Sequence, residues 1–466
     1  MSSSFLLQPS ALIAPVLFVL ALIGVGLFRS RKVKAAEDFL LAGRRLSAPA
    51  FIMSLASAWY GGILGISEYS FTYGLSNWFV FGLPYYLHAA LFAVFLSKRA
   101  RHSRLSSIPD KLEESYGKNA ARVGALTIFL TTMPAAYLLM LGKLLAWIFG
   151  WSYPTALVAG TILSTVYIYF GGLRSVTGTD TLQFVLMYAG FVMMVIVLYN
   201  NFGGLEFLRA HVPRELFTPL GGQAFSAVFV WYIIASTTLV EPLFYERVYA
   251  AKSEKIVLPG ILFCILFWAI FDFMTTTTGL YARALLPADT EKALAFPLLA
   301  QQLLPGAAFG LFFVALLATV MSTIDSYSFL AATALGRDLI WRSGKRNEQK
   351  VPTFIRRSLF AATACAFLLA LASESVVSVW HGVGSVAAPV LLIPMLSAWS
   401  SRLAFARRLV VPAMISAGLA ALIWRIVPVF GDCGYFFGIE PIYIGLSVSL
   451  AFYLIGLRWN RLPMAD

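Results

Sequence analysis

The chain has 466 residues, 59% of them hydrophobic and 12% charged, about half the charge expected of a soluble domain. A bilayer core about 30 Å thick takes roughly 20 apolar residues per helical crossing, so thirteen crossings use about 270 residues and leave about 14 per connection, too few for a separate soluble domain. Soluble enzymes and nucleic-acid-binding domains are thereby excluded, and the net charge of +13 becomes a question of where basic residues sit relative to a membrane.

Apolar runs broken by charge, Gly and Pro predict an all-α polytopic membrane protein with about 13 transmembrane helices. The first six are Ala11–Phe28, Pro49–Tyr73, Trp78–Leu96, Val123–Phe149, Tyr153–Phe170 and Thr181–Tyr199. The remainder are Ala224–Phe244, Val257–Tyr281, Phe309–Ala334, Leu359–Ala372, Val376–Leu396, Leu409–Trp424 and Ile442–Leu457. The first has no basic stretch before it and is followed by Arg29, Arg31, Lys32 and Lys34, which predicts an uncleaved span with its N-terminus outside. Connections after odd-numbered spans hold 29 Lys and Arg, including the clusters Arg29–Arg45, Lys98–Arg122, Arg247–Lys255, Arg337–Arg357 and Arg402–Arg408 and the tail Arg458 and Arg461. The other side holds four, Arg209, Arg214, Lys292 and Arg425. The positive-inside rule then puts the basic side and the C-terminus in the cytoplasm of a cell-membrane protein.

Two spans carry interruptions. The second contains Ser54-Leu-Ala-Ser57-Ala-Trp59-Tyr60-Gly61-Gly62, where the Gly pair permits non-helical backbone at mid-span. The seventh contains Glu241-Pro242, and Pro242 frees the carbonyl four residues back. Kinks and close packing explain one such break. Two of them, five spans apart, are the pattern of an inverted-repeat transporter with its binding site at the breaks. The organisation expected is a first span and basic loop (1–45), two five-span repeats (46–200 and 221–398) and two further spans (399–466).

The ninth span adds Thr319, Ser322, Thr323 and Ser326 on one helical face, with Asp325 flanking it. Such hydroxyls commonly bond back to their own helix and pack against a neighbour. Together with freed carbonyls they also form an all-oxygen, mostly uncharged ligand set suited to sodium. An Asp within the run must face protein, water or an ion. No phosphate-binding loop, H-E-x-x-H or C-x-x-C motif is present, so ATP is not an energy source within this chain and no organic cofactor is expected. Of the three cysteines, Cys264 and Cys365 lie in apolar runs and Cys433 does not, which argues against a disulfide framework.

At these residues the sequence resembles the solute:sodium symporter family, whose members share the LeuT-type inverted-repeat fold. The likeness includes Asp38-Phe-Leu-Leu-Ala-Gly-Arg-Arg45, Gly171-Gly-Leu-Arg-Ser-Val-Thr-Gly-Thr-Asp180-Thr-Leu-Gln183 and Tyr245-Glu-Arg-Val-Tyr-Ala-Ala-Lys-Ser253, then Ala282-Arg-Ala-Leu-Leu-Pro287 and Met321-Ser-Thr-Ile-Asp-Ser326. The resemblance implies a sodium site from the carbonyls of Ser57, Tyr60 and Thr319 and the hydroxyls of Ser322 and Thr323. It also implies a second cation site in some relatives, here Asp180, Asp325 and Ser326. For Asp180 a structural role as an Asp-x-x-Gln helix cap stands equally. The implied solute position is beside Trp59, Tyr60, Gly61, Gly62 and Glu241, with Tyr137 as a wall. Trp59 is similar to the choline-transporting branch of the family, although that branch's Trp on the seventh span is replaced at or near Glu241. A ring and a carboxylate suit an organic cation; core packing for Trp59, and a bond to loosened backbone for Glu241, are the alternatives. Glu68, Asp272, Lys143, His88 and His381 are less informative, lone histidines on packed helices being mostly structural.

The function expected is therefore sodium-coupled import of a small organic solute by alternating access, in contact with lipid and without nucleic acid. Proton coupling is the rival within transport, resting on Asp180, Asp325 and Glu241. A membrane sensor of the same fold is the rival outside it, disfavoured by a chain that ends at Asp466 with no signalling domain attached. A channel is disfavoured by occluding helix breaks and the lack of a charged pore ring.

Overall fold

The computed structural model describes residues 9–344, 347–373, 376–400, 402–427 and 435–459. Lys345, Arg346, Cys433 and Arg461 lie outside the described residues. Twelve helices are long and apolar enough to cross a membrane, and a bent pair supplies a thirteenth crossing. In chain order they are α1 (Pro9–Ser30), the pair α2 (Ala48–Trp59) and α3 (Ile63–Tyr73), and α4 (Trp78–Ser103). A short helix, α5 (Ile108–Tyr116), precedes α6 (Lys118–Phe149), α7 (Tyr153–Gly171) and α8 (Leu173–Phe202). Over the segment expected to form the second repeat come α9 (Phe225–Ile234) with α10 (Pro242–Ala250), α11 (Glu254–Leu285), α12 (Gly306–Trp341), α13 (Val351–Ala372) and α14 (Val376–Ser397). Two more spans follow, α15 (Arg407–Ile426) and α16 (Pro441–Trp459).

The fold is all-α, with an inverted five-plus-five core. The helices outside that core are peripheral: 28% of the apolar window of α1, α15 or α16 is buried, against 83% for α12, which is enclosed by neighbours on nearly every side. The first break bends α2 against α3 by 59°. The second is gentler. After α9 the chain tightens into a 3-10 segment over Ala235–Val240, and Glu241 is extended before Pro242 opens α10.

Four expectations change. α13 begins at Val351, well before Leu359, because Arg356 leaves the lipid by turning onto the Tyr169 and Phe170 carbonyls (2.9 and 3.2 Å) and over the Phe39 and Tyr169 rings. α8 starts at Leu173, not Thr181: its polar first turns are satisfied inside the protein, for example by Ser175 donating to the Gly26 carbonyl at 2.6 Å. Asp180 is thus a helix-interior residue, and the cap reading is wrong. α6 carries a break that was not expected, at Met133 and Pro134, where Met133 is extended as residues before proline tend to be. Arg247, placed by sequence in a cytoplasmic cluster, lies inside α10 and is fully buried.

Candidate functional site

The end of α2 leaves carbonyls without the usual N–H from four residues on, as every helix C-terminus does. Three successive ones are taken by side chains from other helices. Trp268 Nε1 on α11 donates to the Ala56 carbonyl at 3.0 Å, Ser322 Oγ on α12 to Ser57 at 2.9 Å, and Thr323 Oγ1 to Ala58 at 2.8 Å. The Ser322 hydroxyl also lies 3.3 Å from the Thr319 carbonyl. Ser57 O, Thr319 O and Ser322 Oγ therefore converge, as the sequence resemblance implies, while Thr323 reaches the adjacent carbonyl. Tyr60 closes α2 through its N–H to Ser57 at 3.3 Å. Gly61 is required here: a β-carbon on it would lie 2.1 Å from Thr323 Oγ1. A β-carbon on Gly62 would enter the Trp380 ring at 2.0 Å, so the glycine pair lets α12 and α14 approach the break.

The proposed second-cation residues are divided between two networks. Asp180 Oδ2 accepts from Ser54 Oγ at 2.5 Å and from Arg247 Nη2 at 3.4 Å. Arg247 also donates to Ser54 Oγ (2.8 Å), Ser326 Oγ (2.6 Å) and Glu246. Asp325 is turned toward Tyr167 (2.5 Å), Thr179 and Gln183 (both 3.4 Å). Asp180 Oδ1 has no hydrogen-bond partner among the described residues. The guanidinium joins α2, α8, α10 and α12; the sequence placed Arg247 in a family motif and a basic cluster but gave no sign of these partners.

Beside the breaks is a cavity of about 210 Å³. Trp59, Tyr60, Gly62, Tyr137 and Glu241 all line it. Tyr85, Tyr86, Trp231, Trp268, Tyr327 and Trp380 complete an aromatic wall that the sequence reading missed, and Asp272 adds a second carboxylate to the lining. Tyr327 carried one usable signal, standing one helical turn beyond Thr323 on the same face. Trp59 packs edge-on against Phe244 and Tyr85, at 5.2 and 5.9 Å between centroids, and Tyr137 lies 5.4 Å from Tyr327. Glu241 caps α10, accepting from the Leu243 N–H at 3.5 Å, and takes the Tyr327 hydroxyl at 3.2 Å. The backbone bond expected for Glu241 is therefore real, and the carboxylate still faces the cavity. Among the described residues, the charged groups lining the cavity are both acidic, Glu241 and Asp272.

The two broken helices are also tied together at their basic ends. Leu46 donates to the Ala250 carbonyl (3.1 Å) and accepts from Lys252 (2.9 Å), joining the start of α2 to the end of α10. Arg44 pairs with Glu37 at 2.7 Å and donates to the carbonyls of Arg104 (2.9 Å), Leu105 (3.1 Å) and Tyr249 (3.3 Å).

Two interrupted helices, freed carbonyls facing hydroxyls and a cavity beside the breaks are the features expected of a secondary membrane transporter. Residues 39–405 match the Sodium:solute symporter family, and the chain belongs to that family. It is 27% identical to high-affinity choline transporter 1 of Drosophila melanogaster over 80% of this chain; the match spans 64% of that protein's length. It is 25% identical to the sodium/proline symporter of Escherichia coli strain K12 over 94% of this chain and 92% of that one. A solved Na+-coupled sialic acid symporter in a substrate-bound outward-open state shares the fold, with TM-score 0.81 and 18% identity over 97% of each chain. These relatives are transporters, not enzymes, and the chain is a membrane protein of the same kind.

Proposed function

We propose that the protein is a sodium-coupled symporter importing a small organic cation, with its basic side in the cytoplasm. The observation that carries the reading is the convergence of Ser57 O, Thr319 O and Ser322 Oγ immediately beside a cavity whose charged residues are acidic and whose walls are aromatic. An ion between α2 and α12 takes the place of the Ser322 hydrogen as the carbonyls' electrostatic partner. Thr323 Oγ1 and the Tyr60 carbonyl complete its shell. Sodium thereby fixes the break in the geometry that positions Trp59 and Tyr60, while Glu241 and the rings hold the solute cation.

A second cation or proton at Asp180 is the narrower reading. Its Oδ1 lacks a partner among the described residues, but Arg247 already brings one positive charge to the carboxylate, and Asp325 faces elsewhere. Thermal-shift screening of the purified protein against quaternary amines, amino acids, sugars and monocarboxylates, with and without sodium, tests both solute and ion. A ligand that binds only the folded state raises its stability by mass action. Stabilisation by organic cations that requires sodium is the expected outcome; stabilisation by an anionic solute alone contradicts the cation assignment.

A further inference from the structure

Tyr60 belongs to both proposed sites: its backbone lies at the α2 break and its side chain lines the cavity. The ring is buried edge-on against Phe271, 4.5 Å between centroids. Its hydroxyl donates to Asp272 Oδ1 and lies 2.9 Å from Thr275 Oγ1. The other carboxylate oxygen, Oδ2, takes the hydroxyl of Tyr86 on α4. Gly82 makes room for this pair, since a β-carbon there would lie 2.9 Å from the Tyr86 hydroxyl and 3.2 Å from Asp272 Oδ2. One turn before Asp272 on the same helix, Trp268 holds the Ala56 carbonyl.

A buried carboxylate is costly unless its oxygens are satisfied. Two phenol hydroxyls bond this one, and no Lys or Arg is bonded to it among the described residues. With both oxygens already bonded, Asp272 is poorly placed to receive a solute cation, a role left to Glu241. What it does is fix the far end of the Tyr60 side chain. If the Tyr60 carbonyl turns toward an ion, the ring must move with the backbone. A ring pinned at its hydroxyl passes that motion to α11 and to Tyr86, both cavity walls.

We infer that Asp272 is a positioning residue that couples the ion site to the solute cavity through the Tyr60 side chain; the inference rests on the ion and solute sites proposed above. Coupling of this kind is reciprocal and typically worth about 5- to 150-fold in affinity.

The test needs no solute. In a cysteine-free background carrying Thr237→Cys in the cavity wall, labelling by a membrane-impermeant maleimide is measured against sodium concentration, alongside the melting temperature. In the parent, sodium is expected to raise the melting temperature and to change the labelling rate about fivefold. Asp272→Asn is expected to retain the sodium-induced stabilisation but to shrink the labelling response below about twofold. Tyr60→Phe should lose the response similarly, and the double variant should lose no more than either alone, because both cut one link. Tyr86→Phe, which leaves the carboxylate in place, should give a partial loss. An Asp272→Asn protein that responds to sodium like the parent, or additive losses in the double variant, would overturn the coupling role. A parent that sodium does not stabilise would instead overturn the ion site, and this inference with it.

Discussion

Ser322 on α12 donates its hydroxyl to the carbonyl of Ser57 on α2, 2.9 Å away and 265 residues distant in sequence. This contact bridges the interrupted first core helix and the most enclosed helix of the second repeat. It is where the proposed sodium ion would draw α2 and α12 together.

Thr323→Ala, and more strongly the Ser322→Ala/Thr323→Ala double change, should raise the sodium concentration for half-maximal uptake. A loss of about 1.4 kcal/mol in ion binding corresponds to roughly tenfold in affinity. Thr323→Ser should be mild because the hydroxyl remains. Sodium titrations of uptake by the variants check this. Unchanged sodium dependence in the double variant would remove the site assignment.

Glu241 is tested by solute charge. Glu241→Gln keeps the size and a cap acceptor for α10, so stability should change little. Binding of a quaternary amine should fall by at least about tenfold, the effect of losing about 1.4 kcal/mol, while a neutral isostere should be nearly unaffected. Equal loss for both, together with a lower melting temperature, would assign Glu241 to backbone satisfaction alone.

The thirteen crossings and both expected breaks were legible in the sequence, because hydropathy, Gly and Pro are local signals; the meeting of Ser57 with Ser322, 265 residues apart, was expected only from the family resemblance. Asp272 was not. Its partners Tyr60 and Tyr86 are 212 and 186 residues away, and only the fold brings them together. Arg247 was misread for the same reason: one position beside a basic loop looks like charge topology until Ser54, Asp180 and Ser326 are seen around it. The early start of α8 escaped hydropathy because its polar turns are satisfied by neighbouring helices.

Arg247 supplies a third prediction. Removing the guanidinium leaves Asp180 and Glu246 uncompensated in the core, a change of about 3–5 kcal/mol. Arg247→Met should therefore lower the melting temperature sharply in detergent. Adding Asp180→Asn should recover part of it by removing one buried charge. Arg247→Lys should fall between, since an ammonium cannot reproduce the fork that reaches three helices. A stable Arg247→Met protein would contradict this placement.

At the basic end, α5 is tied to the end of α12. Arg337 Nη2 lies 2.9 Å from Asp110 Oδ2, and Arg342 bonds to both Asp110 and Glu113. Burial alone would push the Asp110 carboxyl up, but the two guanidinium groups bring it down to about 2 from 3.8. A carboxyl lowered on folding stabilises above its unfolded pKa and loses that contribution as pH falls through the folded value. Asp110→Asn should cost about 2 kcal/mol at neutral pH, constant down to about pH 5, with the difference from wild type closing between about pH 4 and 2. Thermal unfolding across that range decides it; a difference that closes near neutral pH would contradict the ion-pair assignment.

Sodium coupling is tested most directly by uptake of a radiolabelled quaternary amine into proteoliposomes under separately imposed sodium and proton gradients. The account predicts transient accumulation above equilibrium only when sodium is directed inward, loss of accumulation when sodium is equal on both sides, and its absence in the Ser322→Ala/Thr323→Ala protein. Accumulation driven by a proton gradient in sodium-free buffer, or undiminished in that variant, would contradict it.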